Sequence, residues 1–416
     1  MTQVNIIIFY EHVKREYDSV CLLKKELSKI GLSAVVLPIH YWKYRYLIKY
    51  NPDLIVMPFL YDSRIDAHRL FEKYKGRELP VINLASEQLL DKQTRKSHLP
   101  ADEYSRGAYH VAWSRKYADA LIEIGVKPQN IIRTGNIRMF EHIKHSLRDE
   151  NVVKVKKVLV PTSFARSFIA ESYIKKIRVD FDEYMRRVEH ATSVRDIFFK
   201  EIGTLAVNYS DILWSFRPHP NVSISKYKNK LCEINGWNRL PSNVNLITEE
   251  SIHNSIAAHD VIVSWYSTTI VDSYLMKKNH LVYDPKWDRS YSDNDLFANC
   301  DLVSLTDIES CLGKLVEFKK SEFLEEYIDE NFTYTSQNSV ELLAQEISNI
   351  LGKQRRLVDT RNSKQRLFGL LYLMFKFLTV DIIKDFLIKI RMLHILIPFY
   401  AGLIEDTKSD ERLPKY

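Results

Sequence analysis

The sequence contains little glycine and few cysteines, and both shortages exclude some classes of protein. Only 11 of the 416 residues are glycine, whereas 24 are tyrosine and 19 are phenylalanine. Low-complexity and disordered chains have the opposite composition. The four cysteines, Cys21, Cys232, Cys300 and Cys311, form no Cys-x-x-Cys pair. This spacing predicts reduced thiols in a cytosolic protein and argues against a disulfide framework or a zinc site.

Long apolar segments are also missing. The N-terminus, MTQVNIIIFYEH, lacks the basic start and long apolar core of a signal peptide, so it predicts a first strand. Near the C-terminus the longest apolar run, Leu367–Phe375, is much shorter than the roughly 20 residues of a membrane-spanning helix. Basic and aromatic residues surround this run. Residues 356–416 are therefore predicted to form an amphipathic helical tail on an anionic membrane surface, and core helices are the alternative.

The net charge is positive but moderate. The sequence contains 60 lysine and arginine residues and 53 aspartate and glutamate residues, which gives a formal net charge of +7. This charge suits anionic partners such as nucleotides, phospholipid surfaces or nucleic acid, and it does not choose among them. The basic residues are dispersed and the sequence contains no recognisable nucleic-acid-binding module, so we expect no nucleic-acid partner.

Short apolar runs alternate with helical patterns through most of the chain. The runs form a first series (NIIIFY, SAVVLPI, DLIVMPF, PVINLA, HVAW, IIRT) and a second series (KVLVP, ILWSF, VNLIT, VIVSW, HLVY). Strand-like runs separated by helices predict parallel sheets that are covered on both faces. Two series predict an α/β fold with two Rossmann-like, doubly wound domains and a cleft between them.

The domain boundaries follow from this alternation. The charged segment 143–156 separates a first domain at residues 1–150 from a second at residues 151–355. Helical patterns at Asp307–Lys320 and Ser339–Lys353 are expected to complete the second domain.

The stretch WSFRPHP, residues 214–220, places an arginine and a proline-flanked histidine directly after a strand. Ligands of open α/β sheets bind beyond the carboxyl ends of the strands. The two prolines restrict the backbone of His219, which presets the direction of its imidazole. Together with Arg217, it forms a plausible clamp for a phosphate group, and a surface turn is the alternative.

Other polar side chains also follow predicted strands. The sequence SWYSTTIVD can cap a helix with Ser267, Thr268 and Thr269, and helix N-termini attract phosphate. Asp272 lies about one turn into that helix and could bind ribose hydroxyls. Four further residues follow other strands, and we assign Ser163 and Arg166 to the donor site and Asn136 and Arg138 to the acceptor side of the cleft.

An RPHP turn followed some fifty residues later by a Ser/Thr-rich strand end resembles the C-terminal half of GT-B glycosyltransferases. The resemblance is narrower to enzymes that use cytidine-nucleotide donors: bacterial sialyltransferases, CDP-glycerol polymerases and retaining β-Kdo transferases. INLASEQLL and RTGNIRMF are similar to further elements of bacterial surface-carbohydrate enzymes. Those relatives have an acidic residue soon after Asn-x-Arg, whereas Met139 and Phe140 stand here before Glu141.

The resemblance implies a role for several residues. His219 would bind the donor phosphate, and Ser267 and Thr268 would hold the same phosphate or the cytidine. GT-B enzymes usually need no metal and no cofactor beyond the donor itself. The Asp-x-Asp pattern at residues 180–182 is therefore expected to be no metal site.

Glycosyl transfer requires a base that activates the acceptor or a nucleophile on the donor. Glu87 follows a strand of the first domain and is our candidate there. Asp182 is the candidate on the donor side, if its segment is a loop that projects inward. Arg166 and Arg178 could pair with the carboxylate of a 2-keto sugar acid.

The sequence thus predicts a metal-independent glycosyltransferase on the inner face of the cell membrane. Its best-fitting donor is CMP-Kdo, and its acceptor would be a lipid-linked glycan of lipopolysaccharide or capsule. A CDP-glycerol or CDP-ribitol type transferase, which attacks phosphorus, is the alternative enzyme. A non-catalytic protein that binds nucleic acid or an assembly partner is the alternative of another class.

Overall fold

The computed structural model describes most of the chain between residues 5 and 354. The described residues are 5–11, 13–39, 49–50, 52–60, 79–86, 88, 98–139, 152–168, 181–220, 222–248, 251–289, 295–336, 338–354, 371 and 374.

Strands and helices alternate along the chain in the expected way. The strands are β1 Ile6–Tyr10, β2 Ala34–Pro38, β3 Leu54–Met57, β4 Val81–Asn83, β5 Tyr109–Val111, β6 Ile131–Ile132, β7 Val152–Lys154, β8 Lys157–Pro161, β9 Leu213–Arg217, β10 Val244–Leu246, β11 Val261–Ser264, β12 Asn279–Val282 and β13 Leu315–Glu317. The helices are α1 Val13–Lys29, α2 Glu103–Arg106, α3 Arg115–Glu123, α4 Phe181–Asn208, α5 Ile224–Asn235, α6 Ile252–Ala257, α7 Thr269–Leu275, α8 Asp295–Asn299, α9 Leu305–Cys311, α10 Glu322–Asn331 and α11 Ser339–Gln354.

The first domain is built on a parallel sheet of six strands in the order β2-β1-β3-β4-β5-β6. All five residues of β1 are buried, as are all four of β3. Continuous apolar strands of this kind are typical of parallel sheets whose two faces are both covered. One face packs against Val20, Leu23 and Leu27 of α1.

The second domain is built on a parallel sheet of five strands in the order β10-β9-β8-β11-β12. Trp214 and Phe216 of β9 pack on one face, in the same core as Phe198 and Phe199 of α4. The other face is covered by α6 and α7, where Ile256 of α6 and Met276, the residue after α7, lie in the core with two strand residues. The predicted fold class, two Rossmann-like α/β domains, is confirmed.

The segment predicted as one helix at Asp307–Lys320 is a short helix and a strand. Helix α9 ends at Cys311, and β13 then pairs antiparallel with β7. Gly313, with a backbone φ of +71°, lies between them. A left-handed glycine ends a helix readily, because it lacks the Cβ atom that disfavours this conformation. The prediction of a continuous helix was wrong.

Helix α11 packs on the first domain and not on the second, where the sequence analysis placed it. Its apolar stripe, including Val340, Leu343 and Ile347, is fully buried in the same core as α1 and β1. Among the described residues, one compact unit accordingly contains residues 5–139 with residues 327–354, and the other contains residues 152–326. Helical periodicity identifies an apolar face, but it does not say which sheet that face covers.

The predicted tail at residues 356–416 lies outside the described residues, apart from Leu371 and Met374. Within the described part of the chain, no helix has the length and apolarity that crossing a membrane requires.

Candidate functional site

The strand order of the second domain places a crevice at the carboxyl ends of β8 and β11. From β8 the chain continues to β9 and β10 on one side, and it then crosses to β11 and β12 on the other. Ligands of doubly wound sheets bind where the strand order reverses in this way. The segments that follow β8, β9 and β11 therefore surround the candidate site.

Arg217 is the last residue of β9 and pairs in register with Pro161 of β8. Its side chain is buried, and its Nη1 donates a hydrogen bond of 2.9 Å to the Oγ atom of Ser255 in α6. Its carbonyl oxygen accepts a hydrogen bond of 2.9 Å from the backbone N–H of Thr162, just beyond β8. Arg217 thus fixes the ends of β8 and β9 to α6 and places a positive charge beside the crevice.

His219 lies two residues beyond the end of β9 and is partly exposed. Its carbonyl oxygen accepts a hydrogen bond of 2.9 Å from the backbone N–H of Val222, which closes a turn before α5. The neighbouring Pro218 is buried and fixes the start of this turn. His219 therefore lies at the carboxyl edge of the sheet, and its role toward a phosphate stays a prediction.

The loop between β11 and α7 carries three hydroxyl groups. Thr268 occupies the N-cap position of α7, but its backbone is helical (φ −61°, ψ −13°) and its side chain makes no capping bond. Ser267 Oγ instead lies 2.9 Å from Thr269 Oγ1 and accepts a weak 3.4 Å hydrogen bond from the Thr269 N–H. The expected cap is therefore provided by Ser267 alone, and Thr268 is exposed beside the crevice.

Asp272 of α7 faces His253 of α6. One carboxylate oxygen lies 3.8 Å from His253 Nε2, and the Asp272 side chain is 17% exposed. His253 lies two residues before Ser255, the partner of Arg217. Helix α6 therefore connects the Arg217 side of the crevice to the Asp272 side.

A half-buried histidine of β12 holds the base of the β11–α7 loop. His280 Nε2 lies 2.7 Å from Ser264 Oγ, and its Nδ1 lies 3.1 Å from Ser273 Oγ. Ser273 Oγ donates its own proton to the carbonyl oxygen of Thr269 at 2.8 Å. It must therefore accept from Nδ1–H, while Ser264 donates to Nε2. Burial lowers the pKa of His280 to about 3, so this neutral tautomer persists at all physiological pH values.

The donor-site residues that follow β8 are in different environments. The Ser163 side-chain oxygen is buried and makes no hydrogen bond within the described part of the chain. Arg166 is exposed on the 3₁₀ turn Phe164–Phe168. Next to it, the Phe164 ring stacks on Trp265 with centroids 5.1 Å apart, which joins the segment after β8 to the segment after β11.

The two candidate catalytic carboxylates remain predictions. Glu87 lies outside the described residues, as do Arg178 and Asp180. Asp182 is exposed in the first turn of α4, so it belongs to a helix and not to the inward-projecting loop that its assigned role assumed. Among the described residues, no group of histidine, cysteine, aspartate and glutamate could hold a metal ion.

Asn136 and Arg138 lie at the carboxyl edge of the first sheet. The Asn136 side chain is buried, and its Oδ1 accepts a 2.9 Å hydrogen bond from the Arg138 N–H. The Arg138 guanidinium lies 5.9 Å from the centre of the Trp113 ring. Both residues border a cavity of about 10 Å³, which has room for about one water molecule. These contacts support the local backbone, and a role toward an acceptor stays a prediction.

Asp284 is a buried acid at the same edge of the second sheet that the sequence analysis did not single out. It is 0% exposed and follows the end of β12. Its carboxylate accepts hydrogen bonds from the Tyr266 hydroxyl at 3.1 Å and from the Lys286 N–H at 3.0 Å. Reading the residues that follow HLVY, as was done for the other strands, would have found it.

No protein-family model matches the chain, and no curated protein matches it. Similar solved structures include a UDP-N-acetylglucosamine 2-epimerase from Listeria monocytogenes, which is 13% identical over 87% of this chain and all of that chain, with a TM-score of 0.44. S. aureus MnaA in complex with UDP is 14% identical over 86% of this chain and all of that one, with a TM-score of 0.47. The wall teichoic acid polymerase TagF is 12% identical over 85% of this chain and 90% of that one, with a TM-score of 0.48. The fold class follows from the topology of the two parallel sheets themselves.

Proposed function

We propose that the chain is a transferase that uses a cytidine-nucleotide-activated donor, with CMP-Kdo as the preferred donor. The observation that carries the proposal is the arrangement at the strand ends of the second domain. A buried arginine ends β9, a partly exposed, proline-flanked histidine follows it, and a loop with an exposed hydroxyl group follows β11, on the other side of β8. Cationic and hydroxyl donors around a reversal of strand order suit a nucleotide phosphate.

In this proposal His219 contacts the donor phosphate directly. Arg217 does not contact the donor directly, because its guanidinium is hydrogen-bonded to Ser255. It contributes a fixed positive charge beside the phosphate. Ser267 and Thr268 donate hydroxyl hydrogen bonds to the phosphate or the cytidine. Their loop is held in position by the Ser264–His280–Ser273 hydrogen bonds, which lowers the entropic cost of binding.

The remaining donor contacts are assigned to the segment after β8 and to α7. Asp272, in the first turn of α7, is assigned to accept hydrogen bonds from the ribose hydroxyls. Ser163 and Arg166 would contact the transferred group, and the Arg166 guanidinium can pair with the carboxylate of a sugar acid. Glu87 or Asp182 would supply the carboxylate that the transfer requires.

The acceptor in this proposal is a lipid-linked glycan of a cell-surface polysaccharide. Asn136 and Arg138 would border its site in the first domain. The basic tail at residues 356–416 would hold the enzyme on the inner face of the membrane, where such an acceptor is found. The donor, the acceptor and this location are parts of the proposal that separate experiments can test.

Thermal-shift and calorimetric titrations with CMP, CDP, UMP, UDP and GDP test the donor site. We expect CMP to raise the melting temperature by mass action and His219→Ala to abolish that rise. Arg239→Ala is the matched control, since Arg239 is exposed and precedes β10 at the opposite end of the strands. It should leave CMP binding unchanged.

Each outcome of this titration has a distinct meaning. A preference for CDP would favour a polyol-phosphate transferase, and a preference for UDP or GDP would replace the cytidine donor with another. If no nucleotide stabilises the protein, the donor site does not exist as proposed. If CMP binds, release of CMP from CMP-Kdo in the presence of membranes with lipid-linked glycan tests the sugar.

A further inference from the structure

The second domain contains a cavity that is distinct from the small one beside Asn136 in the first domain and that includes none of the residues assigned to contact the donor. Its volume is about 370 Å³, which lies within the range of small-molecule pockets of about 300–1,000 Å³. It runs along β12, the edge strand of the sheet, between α7 and the segment that leads from β13 into α10. At this size it has room for about a dozen methylene groups, each taking roughly the 30 Å³ of a water molecule.

The edge of β12 is covered at both ends but not between them. At its carboxyl end, the Val303 N–H donates a 3.0 Å hydrogen bond to the carbonyl oxygen of Val282. At its amino end, the Asn279 side chain bridges to β13 and beyond: its Nδ2 donates to the Glu317 carbonyl oxygen at 2.8 Å, and its Oδ1 accepts from the Lys319 N–H at 2.9 Å. The cavity is the space that these two connections leave open.

The walls of the cavity are apolar. Val261, Ile270 and Leu324 line it and are each less than 10% exposed. Further apolar side chains come from both sides of the strand: Leu281, Val303, Val316 and Phe318. An apolar ligand body would therefore gain burial against surfaces that already belong to the core, at about 25 cal/mol for each Å² of apolar area.

The charges around the cavity are arranged asymmetrically. Lys278, Lys319 and Lys320 gather at the amino end of β12, because the Asn279 bridge brings residue 319 beside the start of that strand. Lys320 Nζ lies 3.9 Å from a Glu325 carboxylate oxygen, which offsets part of this charge. Asp301, in contrast, lies toward the carboxyl end. Glu317 also lines the amino end, so three lysines against one glutamate leave that end with a net positive charge.

We propose that this cavity binds a single-chain anionic amphiphile, whose apolar chain lies along β12 and whose phosphate or carboxylate contacts the lysines. The apolar walls match the chain, and the three ammonium groups at one end match a single anionic head. The proposal uses none of the residues assigned to contact the donor, although His280, which holds the donor-site loop, also lines the cavity.

Isothermal titration of the full chain with decyl phosphate, kept below its critical micelle concentration, tests the proposal. We expect one site per chain. Val316→Trp, which fills the cavity, should abolish binding, and Lys319→Glu should weaken it about five- to tenfold, as for the loss and reversal of one partly screened ion pair. Lys314→Glu is the matched control: Lys314 is exposed just before β13 and lies outside the cavity lining, so binding should not change.

Three further ligands separate the possible sources of such binding. Decyltrimethylammonium has the same chain with a cationic head and should bind at least tenfold more weakly. Inorganic phosphate lacks the chain and should not compete. Equal binding of the cation, unchanged binding by Val316→Trp in a variant that keeps the wild-type urea midpoint, or full competition by inorganic phosphate would each overturn the proposal. So would binding to anionic lipid vesicles without any binding of monomeric decyl phosphate, since that result describes a surface and not a cavity.

Discussion

Protonation of one histidine in each domain should make the fold sensitive to mild acid, and the fully buried His110 shows why most clearly. His110 lies in β5 of the first domain and is 0% exposed. Its Nε2 lies 2.9 Å from the carbonyl oxygen of Ser105, which can only accept, so Nε2 carries the proton. Its Nδ1 lies 3.2 Å from the side-chain nitrogen of Asn83, which can only donate.

Asn83 has no alternative orientation that would suit a charged imidazole. Its Oδ1 accepts a 2.9 Å hydrogen bond from the Ala85 N–H, so turning the amide to face His110 with oxygen would break that bond. Protonation of Nδ1 would thus place two donors against each other in a buried site. Burial is the main cause that lowers the pKa of His110 to about 4.

The sign and size of the effect follow from linkage between protonation and folding. The folded-state pKa is below the unfolded value of about 6.5, so the unfolded chain binds the proton more readily. The stability contribution of neutral His110 is complete above pH 6.5 and is lost as the pH falls toward 4. Between pH 7.5 and pH 5 the loss is roughly 2 kcal/mol. His280 should act in the same direction in the second domain, over a window that extends to about pH 3.

Urea unfolding of the wild type and of His110→Gln across this pH range measures the effect. At pH 7.5 the variant should be less stable than the wild type. At pH 5 the difference between their free energies of unfolding should be smaller by roughly 2 kcal/mol, because only the wild type has the imidazole to protonate. The comparison cancels every other titrating group that the two proteins share. A gap that stays constant from pH 7.5 to pH 5 would refute the reasoning and show that folded His110 takes up its proton normally.

Three further substitutions test the packing, each with a matched control. Gly135→Ala should lower the free energy of unfolding of the first domain by several kcal/mol, because a Cβ atom on residue 135, whose φ is +80°, would lie 2.4 Å from Thr335 Cα. The control Gly31→Ala has a similar φ of +78° but open space around it, so it should cost only about 1–2 kcal/mol in urea unfolding. Leu343→Ala removes a fully buried side chain of α11 and should cost about 2–5 kcal/mol, while the neighbouring Leu342→Ala, 41% exposed, should change the urea midpoint little. Asp284→Ala leaves the Tyr266 hydroxyl without its acceptor and should lower the free energy of unfolding of the second domain by about 1–3 kcal/mol. The control Asp301→Ala changes an exposed residue and should leave the urea midpoint nearly unchanged.

The two sheets could be predicted from the sequence because their strands are short and apolar throughout. Runs such as NIIIFY and KVLVP contain the buried residues of β1 and β8, and the alternation with helices was enough to predict parallel order. Strand ends shifted by one or two residues, as with β9, which ends at Arg217 and not at Phe216. That small shift makes Arg217 part of the sheet and explains its burial.

The partners of the site residues could not be predicted in the same way. Nothing in the spacing of Arg217 and Ser255, or of Asp272 and His253, indicates that these pairs meet, because each pair joins different elements through the packing of α6. The capping role given to Thr268 was wrong for a related reason: sequence identifies residues that can cap, but the backbone angles at residue 268 are helical and Ser267 takes over. Chemistry at strand ends can be read locally, whereas contacts between helices depend on the tertiary fold.

The return of α11 to the first domain also affects how the protein is made. The core around α1 stays incomplete until residue 351 has left the ribosome, although the six strands of that sheet are synthesised before residue 133. At bacterial or eukaryotic elongation rates of about 5–20 residues per second, the delay is roughly 10 to 40 seconds. During that interval α1 alone covers this face of the nascent first sheet, and the apolar surface that α11 later buries stays exposed while the second domain is translated. Chaperone protection, or a pause in translation, would act on this interval, and a fragment that stops near residue 150 would keep the part of that face that α11 buries exposed permanently.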